Sequence, residues 1–319
     1  MRKIFTLFVA ALCCASMFAT EGALNGKFTI NAQGDQIVFS KGNLRATTAD
    51  LGEHWTWSFA EHQYDYVGNA ASNNAITGNG TVSSNGTVDL FGWSTAATYF
   101  GIHNSTDNET YEGDFNFVDW GTNAVSNGGN EANAWRTLTK DEWQYMIDTR
   151  TTTSGIRYAK ATVNSVAGLI LLPDDWNSSY YALSGTNNKT ESYTSNEISL
   201  TDWTNSLEAH GTVFLPAAGL RDGTDIIWPA YVGHYWSATP NDDDAYYILI
   251  ASTLINLSML SDLSRGNSVR LVQTEAIPEP PTAIDQANTN AKAAKRLVNG
   301  QLVIEHNGRT YNALGAEVK

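Results

Sequence analysis

Cysteine is scarce in this sequence, and the two that occur, Cys13 and Cys14, both lie within the first 19 residues. Without that segment the chain contains no cysteine. Disulfides, thiol catalysis and cysteine-ligated zinc are then excluded. A chain of about 300 residues can bury enough apolar surface to be stable without such cross-links. We therefore expect one main domain that is held together by its core.

Long hydrophobic runs are also missing, apart from one near the start. Arg2 and Lys3 precede an apolar stretch from Ile4 to Phe18, and small residues follow near Ala19. This order is typical of a secretory signal peptide, and the stretch is shorter than the roughly 20 residues of a transmembrane helix. We therefore expect no transmembrane segment, and a protein that is secreted or located at the cell surface or in the periplasm. A lipoprotein anchor at one of the two cysteines is the alternative.

Basic charge is low as well. Without residues 1–19 the chain has 17 lysines and arginines against 33 aspartates and glutamates, a formal net charge of −16. Because such a chain repels nucleic acid and anionic lipid, we expect neither as a partner. The 10 tryptophans and 14 tyrosines, among many Asn, Ser, Thr and Gly residues, are typical of a loop-rich extracellular β protein.

The patterns of common catalytic and metal sites are absent too. No two histidines have the spacing of metal ligands, and there is no Gly-x-Ser-x-Gly nucleophile motif. We therefore predict no catalytic residue, no metal site and no cofactor. Calcium remains the alternative at two acidic clusters, Asp174-Asp175 and Asp242-Asp243-Asp244, although neither has the spacing of an EF-hand.

Strand patterns make up most of what is present. Alternation around the turn at Gln33-Gly34-Asp35 predicts an opening hairpin of Lys27–Asn31 and Gln36–Ser40. Residues 46–133 predict long irregular segments that are fixed by buried aromatic side chains. Short apolar runs predict further strands at Ala167–Leu172, Val213–Pro216, Tyr235–Ser237, Ala245–Ala251 and Ser268–Val272.

One short helix is indicated, from about Lys140 to Thr149. Thr139 and Glu142 have the spacing of a capping box at its start. Apolar side chains then recur on one helix face, at Trp143, Met146 and Ile147.

Five motifs follow one another along the second half of the chain: Trp135–Trp143 (WRTLTKDEW), Val213–Arg221 (VFLPAAGLR), Gly233–Thr239 (GHYWSAT), Ala245–Tyr247 (AYY) and Gly266–Arg270 (GNSVR). Together they resemble the formylglycine-generating-enzyme-like and fibrobacter-succinogenes-major-paralogous domains. The resemblance implies an α+β, C-type-lectin-like fold. The catalytic members of this family use a cysteine pair or a histidine cluster, and without residues 1–19 this chain has neither. The resemblance therefore implies binding and not catalysis.

The domain organisation that we predict has five parts. A signal peptide (1–19) precedes an N-terminal β- and loop-rich part of the main domain (20–134) and the C-type-lectin-like core (135–275). A proline-rich break then starts a linker (276–295), and two Asn-Gly turns indicate a small β-meander (296–319). This tail resembles the C-terminal sorting signals of exported Bacteroidetes proteins, which implies contact with an export machinery.

The same resemblance implies a binding surface between the last motifs, in residues 240–265. This region also resembles the variable segments of diversity-generating-retroelement targets. Its apolar residues either belong to the core or form an exposed patch. The aromatic residues just before it have rings that can stack on a sugar. The ligand-binding residues that we predict are Trp228, Tyr231, His234, Asn241, Asp243, Asp244, Ile255, Asn256 and Leu257.

The function that we expect is non-catalytic binding of an extracellular protein or a glycan. Two alternatives stay open at this point. One is a structural component of the envelope or of a fimbria-like assembly, and the other is a divergent enzyme of the same fold.

Overall fold

The structure is a computed structural model that describes residues 21–68, 85–96, 101–102, 117–274, 294–298, 301–306 and 309–312. The chain divides into two units, Met1–Glu275 and Ala276–Lys319. The division falls at the proline-rich break. The predicted signal peptide lies outside the described residues, as does most of the predicted linker.

Strands account for most of the regular structure. In chain order they are β1 (Ala23–Thr29), β2 (Gln36–Ser40), β3 (Leu44–Thr48), β4 (Thr56–Phe59), β5 (Gly86–Val88), β6 (Arg136–Thr137), β7 (Tyr158–Val163), β8 (Val166–Leu171), β9 (Glu197–Ile198), β10 (Val213–Pro216), β11 (Leu220–Asp222), β12 (Asp225–Ile227), β13 (Val232–Asn241), β14 (Asp244–Ala251), β15 (Leu254–Asp262), β16 (Leu271–Thr274), β17 (Ala294–Val298), β18 (Gln301–His306) and β19 (Arg309–Asn312).

Helices are few and short in the described residues. Helix α1 (Lys140–Gln144) continues as a π-helical turn at Tyr145–Thr149. Helix α2 (Leu200–Asp202) continues as a π turn at Trp203–Leu207 and then as a 3-10 turn at Glu208–His210. Two more 3-10 turns occur, at Trp120–Thr122 and at Tyr193–Ser195. The chain is therefore sheet-rich with a small helical content.

The first unit closes on itself through one sheet, whose strand order is β1-β2-β16-β6. The β1–β2 hairpin has the register Phe28↔Ile37, which confirms the predicted opening hairpin. Strand β16, which ends the unit, pairs antiparallel with β2 and with β6. Residues from both ends of the unit therefore complete the same sheet.

Four further sheets surround this one in the first unit. Their orders are β4-β3-β5, β10-β8-β7-β9, β11-β12 and β13-β14-β15. Strands β14 and β15 have eight and nine residues, so the region 240–265, where the resemblance implies a binding surface, is mainly a long β-hairpin. In the second unit, β17, β18 and β19 form an antiparallel meander, as predicted.

Aromatic side chains fill the interior of the N-terminal part. One buried cluster contains Trp57, Phe59, Phe91, Trp93, Trp120 and Trp135, from the strands and loops before residue 136. Phe59 and Trp135 meet edge to face with their ring centroids 4.8 Å apart. The described segments of this loop-rich part are thus held by aromatic packing, as the sequence predicts.

Helix α1 begins with the predicted capping box. Thr139 Oγ1 accepts a hydrogen bond from the Glu142 amide at 3.3 Å, and Glu142 Oε2 accepts one from the Thr139 amide at 2.8 Å. Trp143 and the two apolar residues that follow on the same face are buried, as expected. The second half of the segment differs from the prediction, because it is a π turn that ends with the Arg150 amide bonded to Tyr145 O.

The side chain of Arg150 is buried and forms an ion pair with Asp174 at 2.7 Å. Its guanidinium also donates to the backbone carbonyls of Met146, Arg157 and Leu172. Asp174 Oδ2 accepts hydrogen bonds from the Thr29 amide, from Thr29 Oγ1 and from Gln36 Nε2 at 2.7–2.9 Å. This network joins β1, β2, the helix end and the segment after β8.

Replacing Trp143 by alanine should lower the free energy of unfolding by about 3 to 5 kcal/mol, because the indole leaves a cavity in the core. Thr139→Ala should cost about 1 kcal/mol through loss of the cap. Denaturant melts of both variants give the comparison. A Trp143→Ala midpoint equal to that of wild type would contradict the burial of this helix.

Asp174→Ala should be as damaging as a core cavity, since it leaves the buried guanidinium of Arg150 without a counter-charge, at a cost of about 3 to 5 kcal/mol. The neighbouring Asp175 is exposed and provides the control. Its alanine variant should change stability by less than about 0.5 kcal/mol. Equal melts of the two variants would show that the network contributes nothing.

Candidate functional site

The predicted ligand-binding residues all lie in or beside the β13-β14-β15 sheet, but at two separate ends of it. Trp228 and Tyr231 precede β13, whereas Asn241 ends it. A strand of this length spans about 30 Å. The aromatic residues and the acidic residues at 243 and 244 therefore do not form one site.

Three of the predicted contact residues are buried. Ile255 and Leu257 are only 3% and 4% exposed, and they belong to the main core cluster with Tyr235 and Ile250. Alternate residues of a strand face opposite sides, and these two face the core. The prediction that Ile255 and Leu257 contact a ligand is therefore wrong. His234 is 5% exposed and is likewise covered.

At the other end of the sheet, Asn241 and Asp244 flank the turn between β13 and β14. Asn241 Oδ1 accepts a hydrogen bond from the Tyr246 hydroxyl at 3.1 Å. Asp244 lies opposite Asp262. Burial raises the pKa of Asp244, and the negative charges of Asp262 and Asp243 raise it further. Asn256, on β15, accepts a hydrogen bond from the Ser258 amide.

Neither acidic cluster that the sequence singled out is brought into a group of metal ligands. Both oxygens of Asp174 are already bonded to the protein. A different group does come together within the described part of the chain. The carboxylate oxygens of Asp50 and Glu53 and a ring nitrogen of His54 lie close enough to hold one metal ion, and all three residues are exposed. Hydrogen bonds from the His54 amide and imidazole lower the pKa of Asp50 to about 2, so this carboxylate already has its partners.

Two of the predicted ligand-binding residues are exposed aromatic side chains, Trp228 and Tyr231, at 60% and 72% exposure. The Tyr231 and Val232 amides both donate to Trp228 O, which makes a tight turn. Trp228 and Ala230 have φ angles of 53° and 67°. Left-handed backbone is rare for a bulky residue and is a genuine outlier there.

An exposed leucine lies at the same end of the sheet. Val232 pairs with Ala251, and Ala251 pairs with Leu254, so these residues form one row across the three strands. Tyr231 directly precedes that row, and Leu254 is exposed. We call Trp228, Tyr231 and Leu254 the aromatic surface.

His234 lies on β13, with its ring stacked on Tyr247 at a centroid distance of 4.7 Å. Burial lowers the pKa of its imidazole to about 4, and the positive charge of Arg265 acts in the same direction. The imidazole is therefore neutral at pH 7. Its role in this structure is packing between strands.

Two buried residues behind the aromatic surface were not found from the sequence. The ammonium of Lys160 donates a hydrogen bond to Ala251 O, and the hydroxyl of Tyr193 donates one to Tyr231 O. A lysine in a strand and a tyrosine in a 3-10 turn have no local motif that predicts these contacts.

Comparison with known proteins gives no match: no family model, no curated protein and no solved structure resembles this chain at a significant level. Among the residues that the structure describes, no helix has the length and apolar character needed to cross a membrane.

The buried His234 predicts a loss of stability in weak acid. The unfolded chain takes up this proton near pH 6.5, whereas the folded chain does so near pH 4. The free energy of unfolding should therefore fall by about 1 to 3 kcal/mol from pH 6.5 to 4 and then level off. His234→Phe should remove that part of the pH dependence in denaturant melts, whereas His62→Gln, at an exposed position, should keep it.

Proposed function

We propose that this chain is an exported, non-catalytic glycan-binding protein whose ligand stacks on the aromatic surface. We further propose that its first unit has the C-type-lectin-like fold, as the five motifs imply, and that its C-terminal meander is a sorting or anchoring signal. The observation that carries the binding proposal is an exposed tryptophan held in left-handed backbone.

The strain at Trp228 supports a functional role. A left-handed conformation costs a non-glycine residue of the order of 1 to 2 kcal/mol. The indole does not recover that cost by burial, because it is 60% exposed. Glycine or asparagine would accept the same backbone with less strain. A costly conformation that presents a large aromatic ring to solvent is typical of a binding site.

The size of the surface favours a sugar over a protein. Large aromatic side chains bury about 150 to 250 Å² each, so the exposed parts of Trp228 and Tyr231 amount to about 300 Å². A stable protein interface takes about 800 Å² from each partner. One or two pyranose rings need much less, and their apolar faces stack on aromatic rings. The acidic net charge further favours a neutral glycan over an acidic one.

The ionisable groups with strongly shifted pKa values support binding without catalysis. His234, Tyr235 and Arg270 are all buried, and burial is the largest cause of each shift. Arg270 donates to Gln63 Oε1 at 2.8 Å, and the Tyr235 hydroxyl donates to Pro216 O at 2.9 Å. These groups stabilise the fold and do not converge on an open pocket, where a catalytic site would be expected.

Replacing Trp228 or Tyr231 by alanine should weaken glycan binding by about tenfold each, since each ring contributes on the order of 1.4 kcal/mol. The mature protein would be screened on an array of neutral and acidic glycans, with calcium and with a chelator. We expect binding to neutral glycans that the chelator does not change.

Tyr180 provides the matched control, because it is also an exposed tyrosine but stacks on His210 away from the β13-β14-β15 sheet. Tyr180→Ala should bind as wild type does. Full binding by the Trp228→Ala, Tyr231→Ala double variant would refute the aromatic surface as the site. Absence of binding to every neutral glycan would refute the proposed function.

A further inference from the structure

Lys160, on β7, is a wholly buried lysine without an ion pair among the described carboxylates. Its ammonium donates to three backbone carbonyls: those of Ala251 at 2.7 Å, Lys189 at 2.8 Å and Ser252 at 3.1 Å. The three protons of the ammonium thus have three acceptors. Two of those acceptors, Ala251 O at the end of β14 and Ser252 O in the turn that follows, lie just before Leu254.

A buried charge of this kind is expensive for the fold. Burial lowers the pKa of Lys160 to about 8, and the negative charge of Glu191 partly opposes that shift. A methionine would fill a similar volume without desolvating a charge. What the lysine provides and methionine does not is a set of charge-assisted hydrogen bonds to carbonyls. Its contribution is therefore to fix the backbone that carries those carbonyls.

The turn that Lys160 contacts has no strong local preference for its conformation. Ser252 and Thr253 join β14 to β15, and two-residue hairpin loops favour residues with positive φ. Neither residue has a positive φ, whereas both Asn164 and Ser165 do in the turn between β7 and β8. The 252–253 turn therefore lacks the backbone conformation that two-residue loops favour, and the ammonium of Lys160 supplies a contact from outside the hairpin.

Tyr193 contacts the backbone of β14 and of Tyr231, near the turn that Lys160 contacts. Its hydroxyl lies 3.0 Å from Ile250 O and 3.3 Å from Tyr231 O, so its proton is shared between β14 and the residue that precedes β13. The Lys160 ammonium lies 5.9 Å from the centre of the Tyr193 ring. The two side chains form one buried contact set beneath Tyr231 and the start of β15.

We propose that Lys160, together with Tyr193, positions the aromatic surface by fixing the 252–253 turn and the backbone of Tyr231 relative to Trp228. The glycan part of this proposal rests on the proposed function. The positioning itself can be measured without any glycan, so the two can fail separately.

The first experiment uses hydrogen exchange on the mature chain. In Lys160→Met, the amides of residues 228, 230–232 and 250–256 should exchange about tenfold faster, while core amides in β2 and β8 change little. Lys189→Met is the control, because this more exposed lysine pairs with Asp148 and contributes to the set only its backbone carbonyl. Wild-type exchange in both segments of Lys160→Met would overturn the proposal, as would a uniform increase across the domain.

Chemical rescue separates positioning from simple loss of packing. In Lys160→Ala, n-propylammonium has the carbons and the ammonium that the variant lacks. It should restore slow exchange in both segments, whereas tetramethylammonium, which donates no hydrogen bond, should not. Equal effects of the two cations would overturn the role of the ammonium.

The second experiment measures affinity for cellohexaose, xylohexaose and mannohexaose. For a hexaose that wild type binds, Lys160→Met should weaken binding by about tenfold with Trp228 and Tyr231 intact, and n-propylammonium should restore affinity in Lys160→Ala. Unchanged affinity in Lys160→Met would overturn the positioning of the glycan surface. If wild type binds none of the three and no neutral glycan of the array, the neutral-glycan function fails, and the exchange result alone decides whether Lys160 positions the surface.

Discussion

The ion pair between Arg150 and Asp174 is the interaction on which the arrangement of the first unit depends. A guanidinium with no exposed surface is costly to bury without a counter-charge, and here the segment after β8 places the Asp174 carboxylate against the helix end. The second oxygen of that carboxylate is then satisfied by Thr29 and Gln36. One buried ion pair thus joins the N-terminal hairpin, the end of the helix and the segment after β8.

The proposed binding surface uses this frame without being part of it. The inner face of β13-β14-β15 belongs to the main core through Tyr235, Ile248 and Ile250. Trp236 and Tyr247 on the same strands belong to the buried aromatic cluster, so the sheet is anchored on both faces, and the exposed residues lie at its end. Buried polar contacts from β7 then stiffen that end. A rigid platform of this type reduces the conformational entropy that the protein loses when a ligand binds.

Local features of the fold were predictable and long-range ones were not. The capping box at Thr139 and Glu142 involves residues three apart, and the turn of the opening hairpin, Gln33-Gly34-Asp35, lies directly between its two strands in the sequence. Which face of β15 is inward was not predictable, since alternation alone does not say whether Ile255 or Asn256 faces the core. The contact of Lys160 with Ala251 joins residues 91 positions apart, and no pattern in either segment signals it.

The pairing of β2 with β16 has a consequence for the order of folding. Ile37 lies opposite Thr274, so the sheet that closes the unit contains residues separated by almost its whole length. A chain that emerges amino end first, from a ribosome or from a translocation channel, has to deliver residue 274 before this sheet can be completed. Until then β2 has β1 beside it but lacks its second neighbour, β16. The topology thereby delays completion of this sheet until residue 274 has emerged.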